Sequence, residues 1–156
     1  MLLLMIFGFT KSFGQHIDTV KVIKNSVYFN FGDQMIFSLR YDRTLITKKH
    51  YSFTSNVGYG FIPGDNEPVE HRHRIIVMGL HNLIGYKNFY LQFGLEPALY
   101  FNGNTTFINI NGSFGFRYQG GEDTRLFLQI TYNPILFTTH NNIFDLPIGV
   151  GLGYRW

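Results

Sequence analysis

Chemistry in this chain must be sought among few side chains: six histidines, 10 acids, 13 lysines and arginines and no cysteine in 156 residues. The missing cysteine removes disulfides, thiolate metal sites, a cysteine nucleophile and a lipid-attachment cysteine. His71 and His73 stand two apart on an extended segment, so they share a face and could hold a metal. Only Glu67 or Glu70 could fold back to complete that set, so no metal and no other cofactor is expected. A hydrolase needs serine, histidine and an acid converging at one place. His50 with Ser52 and His140 with Asp145 are the sequence-local pairs, and neither carries an elbow motif. No catalytic residue is assigned, and the chain is not read as an enzyme.

A second set of ionisable residues, Arg40, Asp42, Glu96, Arg117 and Arg155, falls on the polar side of alternating segments. If that side closes around a lumen, these charges must pair or be hydrated, because an isolated buried charge is too costly. Glu96 among arginines then reads as a structural plug of the lumen. A gated ion or solute path through the same residues is the competing reading.

Those positions are set by the segments that carry them. The last nine residues alternate Ile148, Val150, Leu152, Tyr154 and Trp156 with Gly149, Gly151, Gly153 and Arg155. A strand sends successive side chains to opposite faces, so one face here is apolar and aromatic and the other nearly bare. The same period recurs over Ser26–Phe31, Met35–Arg43, Tyr51–Phe61, Arg74–Leu83, Phe89–Phe101, Phe107–Gln119 and Arg125–Asn133. Gly32-Asp33, Gly85 to Asn88, Asn102 to Asn104 and Gly120-Gly121 are turn signals, and 62–73 and 138–145 are loops by composition. Pro97 lacks an amide hydrogen, which predicts a bulge or strand end there. The pattern predicts an all-β fold, an eight-stranded antiparallel up-and-down transmembrane β-barrel with both ends on one side.

Composition supports a lipid-facing exterior. Charged residues are 15% of the chain, aromatics 18%, and there are 17 glycines. The face opposite the apolar one collects Ser38, Asn56, Gln92, Asn109, Asn111 and Gln129 with Gly58, Gly60, Gly94, Gly115 and the glycines of the last strand. Small residues suit a crowded lumen better than a solvent face. Tyr41, Tyr51, Tyr59, Phe61, Tyr118, Tyr132, Tyr154 and Trp156 lie near strand ends on the apolar side, as interfacial girdles would. A soluble lipocalin-like carrier would instead have an apolar interior. After the first dozen residues no run of roughly 18 apolar residues occurs, which excludes a helical span from the body of the chain. The net charge of +3 and the short basic runs give no reason to expect nucleic acid. Residues 1–14 read as a secretory signal peptide, with an apolar run over Met1 to Phe9 and small residues at Ser12 and Gly14, although a basic n-region is missing. Residues 15–156 then form a single barrel domain.

The segments FSLRYDR (Phe37 to Arg43), FRYQGG (Phe116 to Gly121), LQITYNPILF (Leu128 to Phe137) and PIGVGLGYRW (Pro147 to Trp156) resemble the small outer-membrane β-barrel proteins of Bacteroidetes-type Gram-negative bacteria, OmpA- and OmpX-like in strand number. The resemblance implies a compartment, the cell outer membrane, with its lipids as partners and a monomeric barrel. It also implies that Leu152, Tyr154 and Trp156 form the signal read by the barrel-assembly machinery. It implies no defined activity. A structural, surface-interaction or envelope-maintenance role is the expectation, with a membrane-embedded lipid-modifying enzyme or a soluble carrier as alternatives.

Overall fold

The computed structural model describes residues 23–33, 37–62, 73–102, 105–121, 123–139 and 146–156. The expected signal peptide, the start of the second strand at Met35, and His71, His140 and Asp145 lie outside these residues, as does the His73 side chain. The strands are β1 (Asn25–Asp33), β2 (Phe37–Lys48), β3 (Tyr51–Ile62), β4 (His73–Tyr86), β5 (Phe89–Asn102), β6 (Thr105–Gln119), β7 (Leu126–Tyr132), β8 (Ile135–Thr138) and β9 (Leu146–Arg155). Every pairing is antiparallel: β1 to β7 pair in chain order, β8 returns to β6, β9 pairs with β7, and β9 also pairs with β1, from Ser26↔Arg155 to Asp33↔Leu146. The sheet therefore closes. β7 and β8 both pair with β6 and are two parts of one wall position, interrupted at Asn133-Pro134, so the barrel has eight strands around its circumference. Closure removes the free edges that an open sheet would expose.

Several local expectations shift in physically informative ways. The connection left between the segments predicted at Met35–Arg43 and Tyr51–Phe61 shrinks, because β2 continues to Lys48 through a bulge between Thr44 and Ile46. That extra residue leaves Leu45 and Ile46 both exposed and breaks the alternation that would have marked the strand. Gly32 and Asp33 are not a turn but the end of β1, with φ of 79° and 67° and a register shift between them. Pro97 ends nothing. β5 runs through it, with Ala98 on Val77 and Leu95 on Leu80 in unbroken register, so no residue is bulged out. The missing donor costs only the β4 ladder bonds beside it, while Pro97 still pairs with Ile110 of β6.

The polarity of the molecule is inverted relative to a soluble domain. Phe29, Leu39, Val57, Met78, Leu80, Leu91, Leu95, Phe114, Ile130, Val150 and Leu152 are all exposed, and Phe116 and Phe89 reach 72% and 70%. The buried residues are largely polar, including Arg40, Asp42, Asn56, His81, Gln92, Glu96, Asn109, Asn111, Arg117 and Gln129. Away from the chain termini the lumen wall turns apolar, where Ile75, Val77, Ala98 and Tyr100 pack with Phe107 and the rings of Tyr100 and Phe107 stack at 4.7 Å. No helix among the described residues is long and apolar enough to cross a membrane.

Candidate functional site

The lumen collects the chain's buried charges, and the strand register explains how they fit. Each inward glycine of β9 lies between inward residues of its two neighbours. Tyr28 of β1 and Phe127 of β7 both pair with Gly153, and with no side chain between them their rings stack at 4.4 Å. One step along, Asn30 and Gln129 both pair with Gly151, and Gln129 Nε2 donates to Asn30 Oδ1 at 3.2 Å. The bare face of the last strand is therefore a trough filled from both sides. Gly58 does the same for Arg40, whose Cγ would lie 2.7 Å from a Cβ on that residue. The His81 ring occupies space left by Gly79 and Gly94.

Two ion-pair clusters lie inside the barrel. In the first, the Arg40 guanidinium is 1% exposed as part of its residue and uses three nitrogens: Nε to Ser38 Oγ at 3.2 Å, Nη1 to Glu96 Oε2 at 2.9 Å and Nη2 to Asp33 Oδ2 at 2.5 Å. The other Glu96 oxygen lies 2.9 Å from His81 Nε2. Asp33 reaches the lumen because the bulge at Gly32 and Asp33 changes which face its side chain takes. In the second, Arg117 Nη1 donates to Asp42 Oδ2 at 2.9 Å and Nη2 to Gln129 Oε1 at 3.3 Å, with the guanidinium 4.9 Å from the centre of the Phe127 ring. Arg117 stands on β6 and Asp42 on β2, opposite walls of the barrel. These side chains meet at hydrogen-bond distance across the lumen. Forked guanidinium groups, Arg40 engaged at all three nitrogens and Arg117 at both Nη atoms, are the arrangement in which burying charge is tolerable.

Arg155 belongs to neither cluster. Its Nη1 donates to the Gly120 carbonyl at 3.0 Å and its Nη2 to the Ile23 carbonyl at 2.9 Å, tying the entry to β1 and the β6–β7 turn across the terminus end. Glu96 thus meets one arginine, Arg40, and a histidine, while Arg117 takes Asp42. Asp33 and His81 are outside the set of charges that the alternation points to. Asp33 follows a glycine and reads as a turn residue. His81 did carry a signal, its place on the inward face of β4 opposite Gly94.

The closing segment is held by main-chain and aromatic contacts. Trp156 N donates to the Asn25 carbonyl at 3.0 Å, Asn25 N donates to the Trp156 carbonyl at 3.2 Å, and the Trp156 and Tyr41 rings lie 6.3 Å apart. Leu152 and Tyr154 face outward beside them. The hydrolase-like pair His50 and Ser52 is not assembled: Ser52 is buried, whereas His50 is exposed and stacks on Tyr86 at 5.6 Å. No group of three or more metal-ligating side chains occurs among the described residues.

No protein-family model matches the sequence. No curated protein sequence matches it either. Among solved structures, the chain is similar to Ail, the attachment invasion locus protein of Yersinia pestis, at 12% identity and a TM-score of 0.42, over 85% of this chain and 94% of that one.

Proposed function

We propose that this chain is a monomeric outer-membrane β-barrel whose lumen is filled by its own side chains, with a structural, surface-interaction or envelope-maintenance role and neither an open pore nor a catalytic site. The observation that carries the reading is the inverted polarity of a closed barrel, with apolar side chains around the outside and paired charges inside. Such an exterior exposes far more contiguous apolar area than water tolerates, and a bilayer is the solvent that suits it. A soluble carrier fits poorly, because its cargo would have to displace the Arg40 and Arg117 ion pairs. The aromatic residues near the terminus end, Tyr41, Tyr86, Tyr118, Tyr154 and Trp156, sit where a girdle at a membrane interface would. Leu152, Tyr154 and Trp156 would then be the segment met by the barrel-assembly machinery.

The test is recovery and migration. The protein should fractionate with the outer membrane, require detergent for extraction, and migrate differently on a denaturing gel before and after boiling. In planar bilayers it should give no stable conductance steps. Recovery of folded protein in the aqueous fraction without detergent would overturn the membrane assignment, and regular ohmic steps would overturn the filled lumen.

A further inference from the structure

We propose that the terminus end of the barrel carries a collar of cations that engages an anionic glycerophospholipid leaflet, with a separate headgroup phosphate at each cation around the circumference; this rests on the membrane-barrel reading above. The exposed lysines and arginines among the described residues gather at the end where β1 begins and β9 finishes. Lys24 precedes β1, and Arg43 on β2 pairs with Asn25, the first residue of β1. Lys48 and Lys49 lie at the β2–β3 turn, Lys87 at the β4–β5 turn and Arg125 at the β6–β7 turn. Each hairpin at this end therefore brings at least one cation. Arg74 is the one exposed lysine or arginine elsewhere among the described residues. Asp123 is the one exposed acid among them, with Glu122 next to it in sequence. The connection between β3 and β4, at the opposite end, instead holds Asp65, Glu67 and Glu70 against Arg72.

None of these six cations meets a carboxylate among the described residues. Aromatic rings lie beside them instead. The Lys87 ammonium is 5.6 Å from the centre of the Tyr86 ring, and the His50 ring stacks on the same tyrosine at 5.6 Å. Gly85 N also donates to the His50 carbonyl at 3.0 Å, so the β2–β3 and β4–β5 turns form one continuous stretch of rim. Arg125 donates to the Tyr154 hydroxyl at 2.9 Å, and Arg43 follows Tyr41 two residues further along β2. Tyrosine with lysine or arginine is the combination that meets a bilayer at headgroup level, ring toward the tails and cation toward the phosphates. Arg43 adds a constraint, because an exposed charge on the wall of β2 is costly in hydrocarbon and is relieved by a phosphate within its reach. The spacing then selects the partner. Cations on hairpins distributed around a closed wall lie on different sides of the barrel, so neither one phosphate nor a soluble polyanion lying against one face can meet them all. A leaflet surrounds the barrel and offers a headgroup at every position, and each basic residue near an anionic surface is worth about 1 kcal/mol.

The experiment uses the full chain folded into phosphatidylcholine vesicles with a minor fraction of phosphatidylglycerol, reading the motionally restricted signal of spin-labelled lipids of each headgroup. At each cation phosphatidylglycerol should be preferred roughly fivefold. The preference should fade in about 1 M salt, where the Debye length falls to about 3 Å. K24Q/R43Q, K48Q/K49Q and K87Q/R125Q should each remove about a third of the excess, additively, because the cations act at separate headgroups. The charge-conserving K48R/K49R should keep all of it. Loss of the whole excess in one pair of substitutions would point to a single seat and overturn the collar, and an excess that survives all six substitutions would overturn it too. No saturable binding of inorganic polyphosphate is expected to the protein in pure phosphatidylcholine. Such binding, lost in the same variants, would reassign the cations to a soluble polyanion. Failure to insert into vesicles, with no heat-dependent migration, would sink the membrane reading itself, whereas insertion without headgroup preference sinks only the collar.

Discussion

The inward glycines give a graded test of how this lumen is packed. A methyl group added at Gly153 would lie 2.1 Å from the Val27 carbonyl oxygen and 2.4 and 2.5 Å from Tyr28 Cβ and Cα. These are backbone or near-backbone atoms, so the strand pair at the β1–β9 seam must move apart, and the Tyr28–Phe127 stack with it. Overpacking of this kind costs about 1–3 kcal/mol, and contacts so short with atoms so rigid put Gly153→Ala at the top of that range or above. At Gly151 the new methyl would meet Gln129 Cγ at 2.6 Å and Cδ and Nε2 at 3.1 Å. That side chain can swing away, giving up its bond to Asn30, for a cost of roughly 0.5–1.5 kcal/mol. At Gly121 nothing lies within 4 Å, and Gly121→Ala should be within about 0.5 kcal/mol of neutral. The single tryptophan, Trp156, sits on the same seam and reports its opening by fluorescence during urea unfolding in vesicles. With a denaturant slope of about 1–3 kcal/mol per molar, Gly153→Ala should lower the midpoint by roughly 1 M or more. Similar midpoints for all three variants would refute the claim that neighbouring side chains fill the trough of β9.

Glu96→Ala removes the partner of both Arg40 Nη1 and His81 Nε2 and should destabilise the barrel by about 3–5 kcal/mol in the same urea assay, with Glu96→Gln milder because Arg40 keeps Asp33. Arg117→Met should cost a similar amount by stranding Asp42. The double change Arg117→Met with Asp42→Leu should recover much of it, and a double variant no better than the single would deny that the two charges act as a pair. Deleting Trp156 removes two main-chain bonds to Asn25 and the contact with Tyr41. It should reduce the heat-modifiable fraction in cells more than the yield of refolding from urea into vesicles; equal losses would make Trp156 a stability residue and not an assembly signal.

The Arg117–Asp42 contact across opposite walls also bears on how the lumen could ever open. A path past this level requires breaking a buried ion pair and moving Gln129, which itself holds Asn30 over Gly151. On the proposed filled-lumen reading, no single rotamer change would clear this level.

Alternation alone reveals most of the strands and which face of each is apolar, but not β8 (Ile135–Thr138), which falls in no predicted segment. Alternation has a period of two residues and is set by local backbone geometry, so Phe29, Leu91 or Val150 reveals its side without reference to any other strand. It could not separate the 43–50 turn from a bulged strand, since one extra residue cancels the alternation that identifies a strand. Nor could it say who pairs with whom inside. That Arg117 takes Asp42, that Asp33 joins Arg40 and Glu96, and that Tyr28 meets Phe127 over Gly153 were decided only by the tertiary structure. Partners across a lumen depend on the stagger accumulated strand by strand around the closed sheet. A single bulge such as that at Gly32 and Asp33 changes which side chain faces in, and no local pattern carries that sum.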